Sequence, residues 1–335
     1  MNENKTSHLY DKQTSIGFYE DRYAHGYMEG CWPIERKQRI LEVIRSLDLP
    51  AAGDALDFGC GDGVLTDILK QALPSGWKVY GTDISSIAIE KAKKQFPSCA
   101  FFTTGDKSFT DRRFDFLFTH HVLEHVYDLR QVLHEMDGFL TPTSAMLHTL
   151  PCGNEGSFEH RVCLLRKDGI DSALENRFFF EDEGHVRRLT TEQLNELCAR
   201  MGFALAKAYY SNQYFGAINW ITLSGRNFVH TFTDTSQALD EQAQEQLRRL
   251  RYMLWGIWVL RHPVAVVERR LRKSSRTLRD FAYLALGLPM YLVAKPLDIF
   301  LRRKAREEWR TRKTDPHGSE MYLFFKRESV SFPLR

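Results

Sequence analysis

The sequence predicts an α/β fold built on a mostly parallel sheet covered on both faces, with a basic helical insertion late in the chain. Three observations predict it. Short apolar runs alternate with helix-period patterns between residues 55 and 150, and strands joined through helices form parallel sheets with right-handed crossovers. A glycine-rich turn, "GCGDG" (59–63), separates the first of these runs from the first of these helices. Finally, residues 246–313 hold 18 Lys and Arg against 5 Asp and Glu, a charge of +13, so the rest of the chain carries −10 of the overall +3.

The 335 residues suffice for one large domain or two ordinary ones, and 43% hydrophobic with 27% charged residues is a globular composition. Cys31, Cys60, Cys99, Cys152, Cys163 and Cys198 form no C-x-x-C pair, and the first residues are polar, with no apolar signal segment. This reads as a cytoplasmic protein with reduced thiols and argues against a disulfide scaffold.

"IERKQRILEVIRSLD" (34–48) sets Ile34, Ile40, Leu41, Ile44 and Leu47 on one helical stripe that Pro50 and Gly53 end. The elements that follow are a strand at 55–59, a helix from Val64 to Leu73, a strand at 78–83, and a helix from Ser86 to Phe96. Strands at 99–106 and 114–120, a helix near 128–140, and a strand at 144–150 continue the alternation. Residues 151–189 lack clean periodicity. "LTTEQLNELCARMGF" then reads as a helix capped by Thr190 or Thr191 and stopped by Gly202. "FALAKAYY" (203–210) and "MYLFFKR" (321–327) look like two more strands, separated by the basic segment at roughly 226–318.

"LDFGCGDG" (56–63) ends a buried strand in a turn that lets backbone approach a ligand and points free N–H groups at it. The next strand ends at Asp83, where a carboxylate can hold both hydroxyls of a ribose; capping the helix that starts there is its ordinary alternative. A glycine turn with a following acid also occurs in NAD-dependent oxidoreductases, which these residues alone leave open.

Taken together, "ALDFGCGDGVLTDIL", "VYGTDISSIAIEKAKKQFP", "TTGD", "RFDFLFTHHVLEHVYDLRQVLHEMDGFL" and "GHVRRLTTEQLNELCARMGF" resemble a class I S-adenosylmethionine-dependent methyltransferase over about residues 16–210. The resemblance implies a Rossmann-like seven-stranded, mostly parallel sheet with an antiparallel last strand, "MYLFFKR", preceded by the helical insertion. It implies S-adenosylmethionine as cofactor, with Asp57, Gly59 and Gly61 at its methionine end and Asp83 on the ribose. Asp106 and Lys107 would flank the adenine, and Ile84 would pack on its face. Cys60 would contribute backbone and no redox chemistry. The organisation that follows is a lid over 1–50, a core over 51–210 with an acceptor cap at 151–189, an insertion at 226–318, and a last strand at 319–327. Where the family commonly has Lys-Pro-Gly-Gly after the helix ending at Leu140, this chain has "TPTS" (141–144), with Pro142 read as making the turn.

"THHVLEHV" (119–126) spells the H-x-x-E-H of certain zinc proteases at His121–His125. That reading needs His121 and His125 one turn apart on a helix and a third ligand, and no metal is assigned. Glu124 and His125 are read as starting and bracing the next helix. His120 and His121, at a strand's carboxyl end, reach the ligand crevice, His120 toward the cofactor. A neutral imidazole suits a general base for a hydroxyl acceptor, so His121 and then His185 are the catalytic candidates, with His160 weaker. Tyr19, Tyr23 and Tyr27 recur every four residues as one packed face, which similar methyltransferases fold over the cofactor.

In the insertion, Leu247, Leu250, Leu254, Ile257 and Trp258 form an apolar face bordered by Arg248, Arg249, Arg251 and Arg261, and Trp255 with Trp258 suits a membrane interface. Val264, Val267, Leu271, Leu278 and Phe281 oppose Arg269, Arg270, Arg272, Lys273, Arg276 and Arg279, which reads as a basic amphipathic helix. Residues 281–294 are uncharged, but 14 helical residues span only about 21 Å against about 30 Å of hydrocarbon, and Pro289 interrupts them. Shallow insertion or a hydrophobic helical hairpin is expected. The aromatics lie in aliphatic runs and not interleaved with basic residues, which argues against a nucleic-acid stacking platform.

The expected activity is O-methylation of a lipid, a lipid-linked glycan or an isoprenoid-type acceptor, with the protein peripheral at the cytoplasmic face of an anionic membrane. Alternatives are a soluble small-molecule or RNA methyltransferase whose insertion is a lid or dimer surface, and a non-catalytic cofactor-binding scaffold.

Overall fold

A computed structural model describes residues 12–27, 32–271, 275 and 277–328. Cys31, Arg272, Lys273 and Arg276 lie outside the described residues, as does the whole segment before Lys12.

Seven strands form one sheet: β1 (Ala52–Phe58), β2 (Gly76–Asp83), β3 (Ala100–Thr103), β4 (Phe114–His120), β5 (Leu140–Pro151), β6 (Phe203–Ser211) and β7 (Glu320–Arg327), in the order β3-β2-β1-β4-β5-β7-β6. The first five are parallel, in a register that pairs Asp57 with Gly81 and with Phe118. The backbone N–H of Ser319 donates to Ser211 and that of Glu328 to Gly202, so β7 runs antiparallel to β6. Leu56, Phe116, Leu117, Phe118, Met146 and Phe324 are fully buried, as strands covered on both faces require.

The helices of this part are α1 (Lys12–Ala24), α2 (Ile34–Arg45), α3 (Val64–Ala72), α4 (Ser86–Gln95), α5 (Leu129–Gly138) and α6 (Thr191–Ala199). Thr190 caps α6 in a reciprocal box with Gln193, and Gly202, at φ +78°, follows its end.

Two readings of this region change. Pro142 makes no turn: it lies inside β5, where pairing jumps from Phe114–Leu140 to Phe116–Ala145, and a bulge tolerates a residue without an N–H. Glu124 and His125 do not begin a helix. Residues 121–127 are a loop, and α5 starts after Asp128, whose carboxylate accepts the Gln131 N–H at 2.9 Å.

The chain divides into two compact units, the first comprising residues 1–151, 182–208 and 321–335 and the second 152–181 and 209–320. Residues 152–181 therefore group with the insertion. In the second unit, α7 (Phe215–Leu223), α8 (Arg226–Phe232), α9 (Glu241–Leu271) and α10 (Leu278–Arg312) surround a core of Phe158, Ile218, Ile221, Phe232, Leu247 and Leu254. Leu250, Ile257, Trp255 and Trp258 pack partly buried against that core. The apolar face predicted on α9 is thus used internally.

Arg261 does not border this face in water. It is buried, with its guanidinium 2.6 Å from Asp298 on α10 and 2.8 Å from the Thr222 hydroxyl. The single amphipathic helix expected over 264–281 is two helix ends: α9 stops at Leu271, and Thr277 caps α10 in a box with Asp280. Nor does Pro289 interrupt α10, which runs 35 residues through Pro289 and Pro296. Pairing along α9 offsets the lost hydrogen bonds, through Lys295–Glu268, Arg261–Asp298 and the Arg270 guanidinium 4.0 Å from the Tyr283 ring. By length and composition, α10 is long and apolar enough to cross a membrane.

Candidate active site

The site lies at the carboxyl ends of β1, β2 and β4, beside the point where strand order reverses. A pocket there is lined by Tyr19, Tyr23, Asp57, Gly59, Cys60, Gly61, Asp83, Ile84, Thr104, His120, His121 and His125, among others.

The glycine turn follows from steric need at two positions. Gly59 has φ +78°, and an added Cβ would meet the Val122 side chain at 2.5 Å; Gly61 has φ +53°, and its Cβ would meet the Tyr23 hydroxyl at 2.5 Å. Both N–H groups at Gly59 and Cys60 donate to the Thr82 carbonyl, which ties the turn to β2. Cys60 is buried with Ile89, Ala92 and Phe101, and burial pushes its thiol well above the ordinary range, so it is chemically quiet.

Asp83 accepts the Gly61 N–H on one oxygen and the Ser85 N–H on the other, both at 2.9 Å. Burial raises its pKa despite these bonds. A carboxylate has about four acceptor sites, so acceptor capacity remains for a ribose hydroxyl. Asp57 is buried and bonded to the Thr66 hydroxyl at 2.6 Å, and burial lifts its pKa to about 7. Asp106 and Lys107 do not line the pocket: Asp106 caps the short helix Lys107–Thr110, and Thr104 forms the wall at that end.

Helix α1 covers the turn through contacts the sequence did not announce. Glu20 accepts from the Ser86 and Ile87 N–H groups and both Ser85 and Ser86 hydroxyls, closing the N-terminus of α4. Lys91 donates to the Tyr23 carbonyl at 2.8 Å, and Arg22 grips Asp182 bidentately at 2.6 and 2.8 Å. Tyr19, Tyr23 and Tyr27 all line the pocket, although Tyr27 follows the helix end. The four-residue spacing did mark them.

The loop after β4 is held from the segment 182–187. Val186 donates to the Glu124 carbonyl, His125 Nδ1 donates to the Gly184 carbonyl at 3.0 Å, and buried Arg187 donates to the carbonyls of Leu123, Val126 and Tyr127. His121 sits at φ +54°, an uncommon conformation for a side chain with a Cβ, with Nδ1 2.7 Å from the buried Glu124 carboxylate. Burial opposes the Glu124 charge, but His121, His125 and His185 hold its pKa down to about 2. Desolvation and neighbouring His185 lower His125 to about 4. His120 is buried edge-on to Trp32 at 5.4 Å. His185 is buried against His125, rings 4.5 Å apart, rather than on the pocket wall. His160 belongs to the second unit, where its Nδ1 accepts the Gly156 N–H.

A doubly wound sheet with a glycine turn on β1 and a buried carboxylate ending β2 defines a nucleoside-cofactor-binding protein. The cradle that a Cβ would fill at Gly59 and Gly61 and the spare acceptor capacity of Asp83 fit S-adenosylmethionine. A family model described as a methyltransferase domain matches residues 33–208. The chain belongs to that family, and residues 33–208 form a methyltransferase domain of the class I, S-adenosylmethionine-dependent type.

Among curated proteins it is similar to trans-aconitate 2-methyltransferase of Variovorax paradoxus (strain S110), 27% identical over 123 residues. That match covers 36% of this chain and only about half, 47%, of the relative. Among solved structures it is similar to mitomycin 7-O-methyltransferase MmcR at 16% identity and TM-score 0.43, covering 62% of this chain and 57% of that one. It is also similar to a DhpI–SAH complex at 18% identity and TM-score 0.41, covering 59% and 89%.

Proposed function

We propose that the chain transfers the methyl group of S-adenosylmethionine to a hydroxyl oxygen, with His121 as general base, and that its acceptor is a lipid, a lipid-linked glycan or an isoprenoid-type molecule met at a membrane surface. The cofactor supplies an electrophilic methyl on a sulfonium. Asp83, Gly59 and Gly61 hold and orient it, with Asp57 at the methionine end. Aligning acceptor oxygen with methyl carbon contributes up to about 7–11 kcal/mol in ideal cases.

The observation that carries the base is the His121–Glu124 contact of 2.7 Å. We assign the ring proton to Nδ1, the nitrogen beside Glu124, which leaves the lone pair on Nε2, and the ring lines the pocket. With cofactor and acceptor bound, Nε2 would take the hydroxyl proton during transfer, and the buried Glu124 carboxylate would stabilise the imidazolium. A base of this kind contributes roughly 10² to 10⁴ in rate.

The membrane reading is supported by residues 281–294 on α10, where Leu286 is 79% and Val293 77% exposed. Arg270 and Arg279 lie beside this row, and each such cation adds about 1 kcal/mol near an anionic leaflet. A soluble small-molecule acceptor is the second reading, favoured by the similarity to trans-aconitate 2-methyltransferase.

The test is methyl transfer from labelled cofactor into a hydroxyl acceptor drawn from lipid extracts, for the wild type and His121→Gln. Gln is expected to lower kcat by 10²-fold or more while cofactor affinity stays within threefold. Unchanged kcat in His121→Gln would remove His121 from the mechanism.

A further inference from the structure

We infer that Glu124, His125 and His185 form a buried binding site for one divalent transition-metal ion behind the methyl-transfer pocket, with only His125 reaching the pocket lining. One carboxylate oxygen and one nitrogen from each imidazole lie within 4.8 Å of one another. Bonds of about 2.0–2.2 Å to zinc place such donors roughly 3–3.5 Å apart, so side-chain adjustments of about an ångström bring all three to one ion. Two imidazoles and a carboxylate are a donor set for zinc, cobalt(II), manganese or iron(II) rather than for calcium.

Three features distinguish this cluster from histidines merely packed in a core. First, the supporting bonds are those of a metal site. His125 Nδ1 donates to the Gly184 carbonyl, which leaves Nε2 as the nitrogen able to take a metal, and Glu124 is contacted by His121 Nδ1 at 2.7 Å. Second, Glu124 is 1% exposed, and its Oε2 has no hydrogen-bond partner among the described residues. A buried ionised carboxylate calls for a compensating cation beyond one imidazole. Third, the segment bearing His185 is fixed on the 121–127 loop by the Val186–Glu124 and Arg187 bonds, and Asp182 is fixed by Arg22. The third donor thus arrives from 60 residues away already positioned.

Tyr19 packs edge-on against His125 at 5.8 Å, and its buried hydroxyl has no hydrogen-bond partner among the described residues. It can accept or donate to a water on the ion. His125 lines the pocket, so an ion bound there would bear on that wall through its imidazole. Binding of the ion does not rest on the proposed O-methylation. This donor set also differs from the H-x-x-E-H spelling, since His121 contacts Glu124 and His185 takes its place.

The test is titration of the full chain, after dialysis against chelator, with cobalt(II) chloride, read by visible d–d absorption and followed by displacement with zinc. One cobalt per chain is expected. Affinity should fall at least tenfold in His185→Gln and in Glu124→Gln, with calorimetric binding of S-adenosylmethionine retained as the sign of folding. No cobalt spectrum in the wild type, or unchanged affinity in both folded variants, overturns the site. Should a variant fail to bind the cofactor, the wild-type stoichiometry and its competition by zinc decide. A protein that binds cobalt but transfers no methyl to hydroxyls refutes the O-methylation and leaves the site standing; transfer indifferent to chelator without cobalt binding does the reverse.

Discussion

Glu124 and His125 are adjacent residues whose proton affinities are both displaced downward, and their consequences for stability add in one direction. In the unfolded chain His125 takes a proton near pH 6.5, in the folded protein only near 4. Glu124 does so near 4.5 when unfolded and near 2 when folded. Between 6.5 and 4, and again between 4.5 and 2, the unfolded state holds more protons, so stability falls as pH falls through both windows. Thermal melts across pH 8 to 3 are expected to show a midpoint that declines below 6.5, and His125→Asn should flatten the upper part of that decline. A wild-type midpoint constant from 6.5 to 4.5 would contradict the burial assigned to His125. None of this was legible in "THHVLEHV", because Gly184, His185 and Arg187 set these environments from some 60 residues away.

At the scale of elements, periodicity located strands and helices well where one face is apolar. "FDFLFTH" is β4 residue for residue, and Thr190 caps α6 as its side chain allows. It failed where tertiary pairing overrides local preference: Pro142 inside a bulged strand, and Pro289 and Pro296 inside a continuous helix. Arg261 is the same lesson for charge, since nothing in its own neighbourhood reveals Asp298, 37 residues on. Their side chains are 3% and 2% exposed. Asp298→Ala strands a guanidinium in a dry site and is expected to cost about 3–5 kcal/mol. The double change Arg261→Met with Asp298→Leu should recover most of that loss, read as the urea midpoint at constant slope. A single variant as stable as the wild type would show that the pair contributes nothing to the hairpin.

Over the whole molecule, the charge asymmetry read from the sequence is partly consumed inside the second unit. Arg248 and Arg249 share Glu245, Arg302 joins Arg261 on Asp298, and Lys295 pairs with Glu268. The apolar stripe of α9 is consumed as well, by the core of that unit. The uncharged row of α10 stays outward, with Leu286 and Val293 its most exposed aliphatic side chains, so any membrane attachment should depend more on them than on salt. Flotation with phosphatidylglycerol-containing vesicles is expected to carry the wild type upward at 0.5 M salt, and Leu286→Ser with Val293→Ser to leave it below. Wild-type protein that stays at the bottom at low salt would withdraw the membrane from the proposal and favour the soluble acceptor.

The carboxylate of Glu20, set on the N–H groups of Ser86 and Ile87, joins the covering helix to the residues that follow Asp83. Any free energy by which α1 tightens the grip on cofactor is returned in equal measure as protection of α1 by bound cofactor. Closing and loading are then one equilibrium seen from two ends, and weakening Glu20, Lys91 or Asp182 would loosen both together.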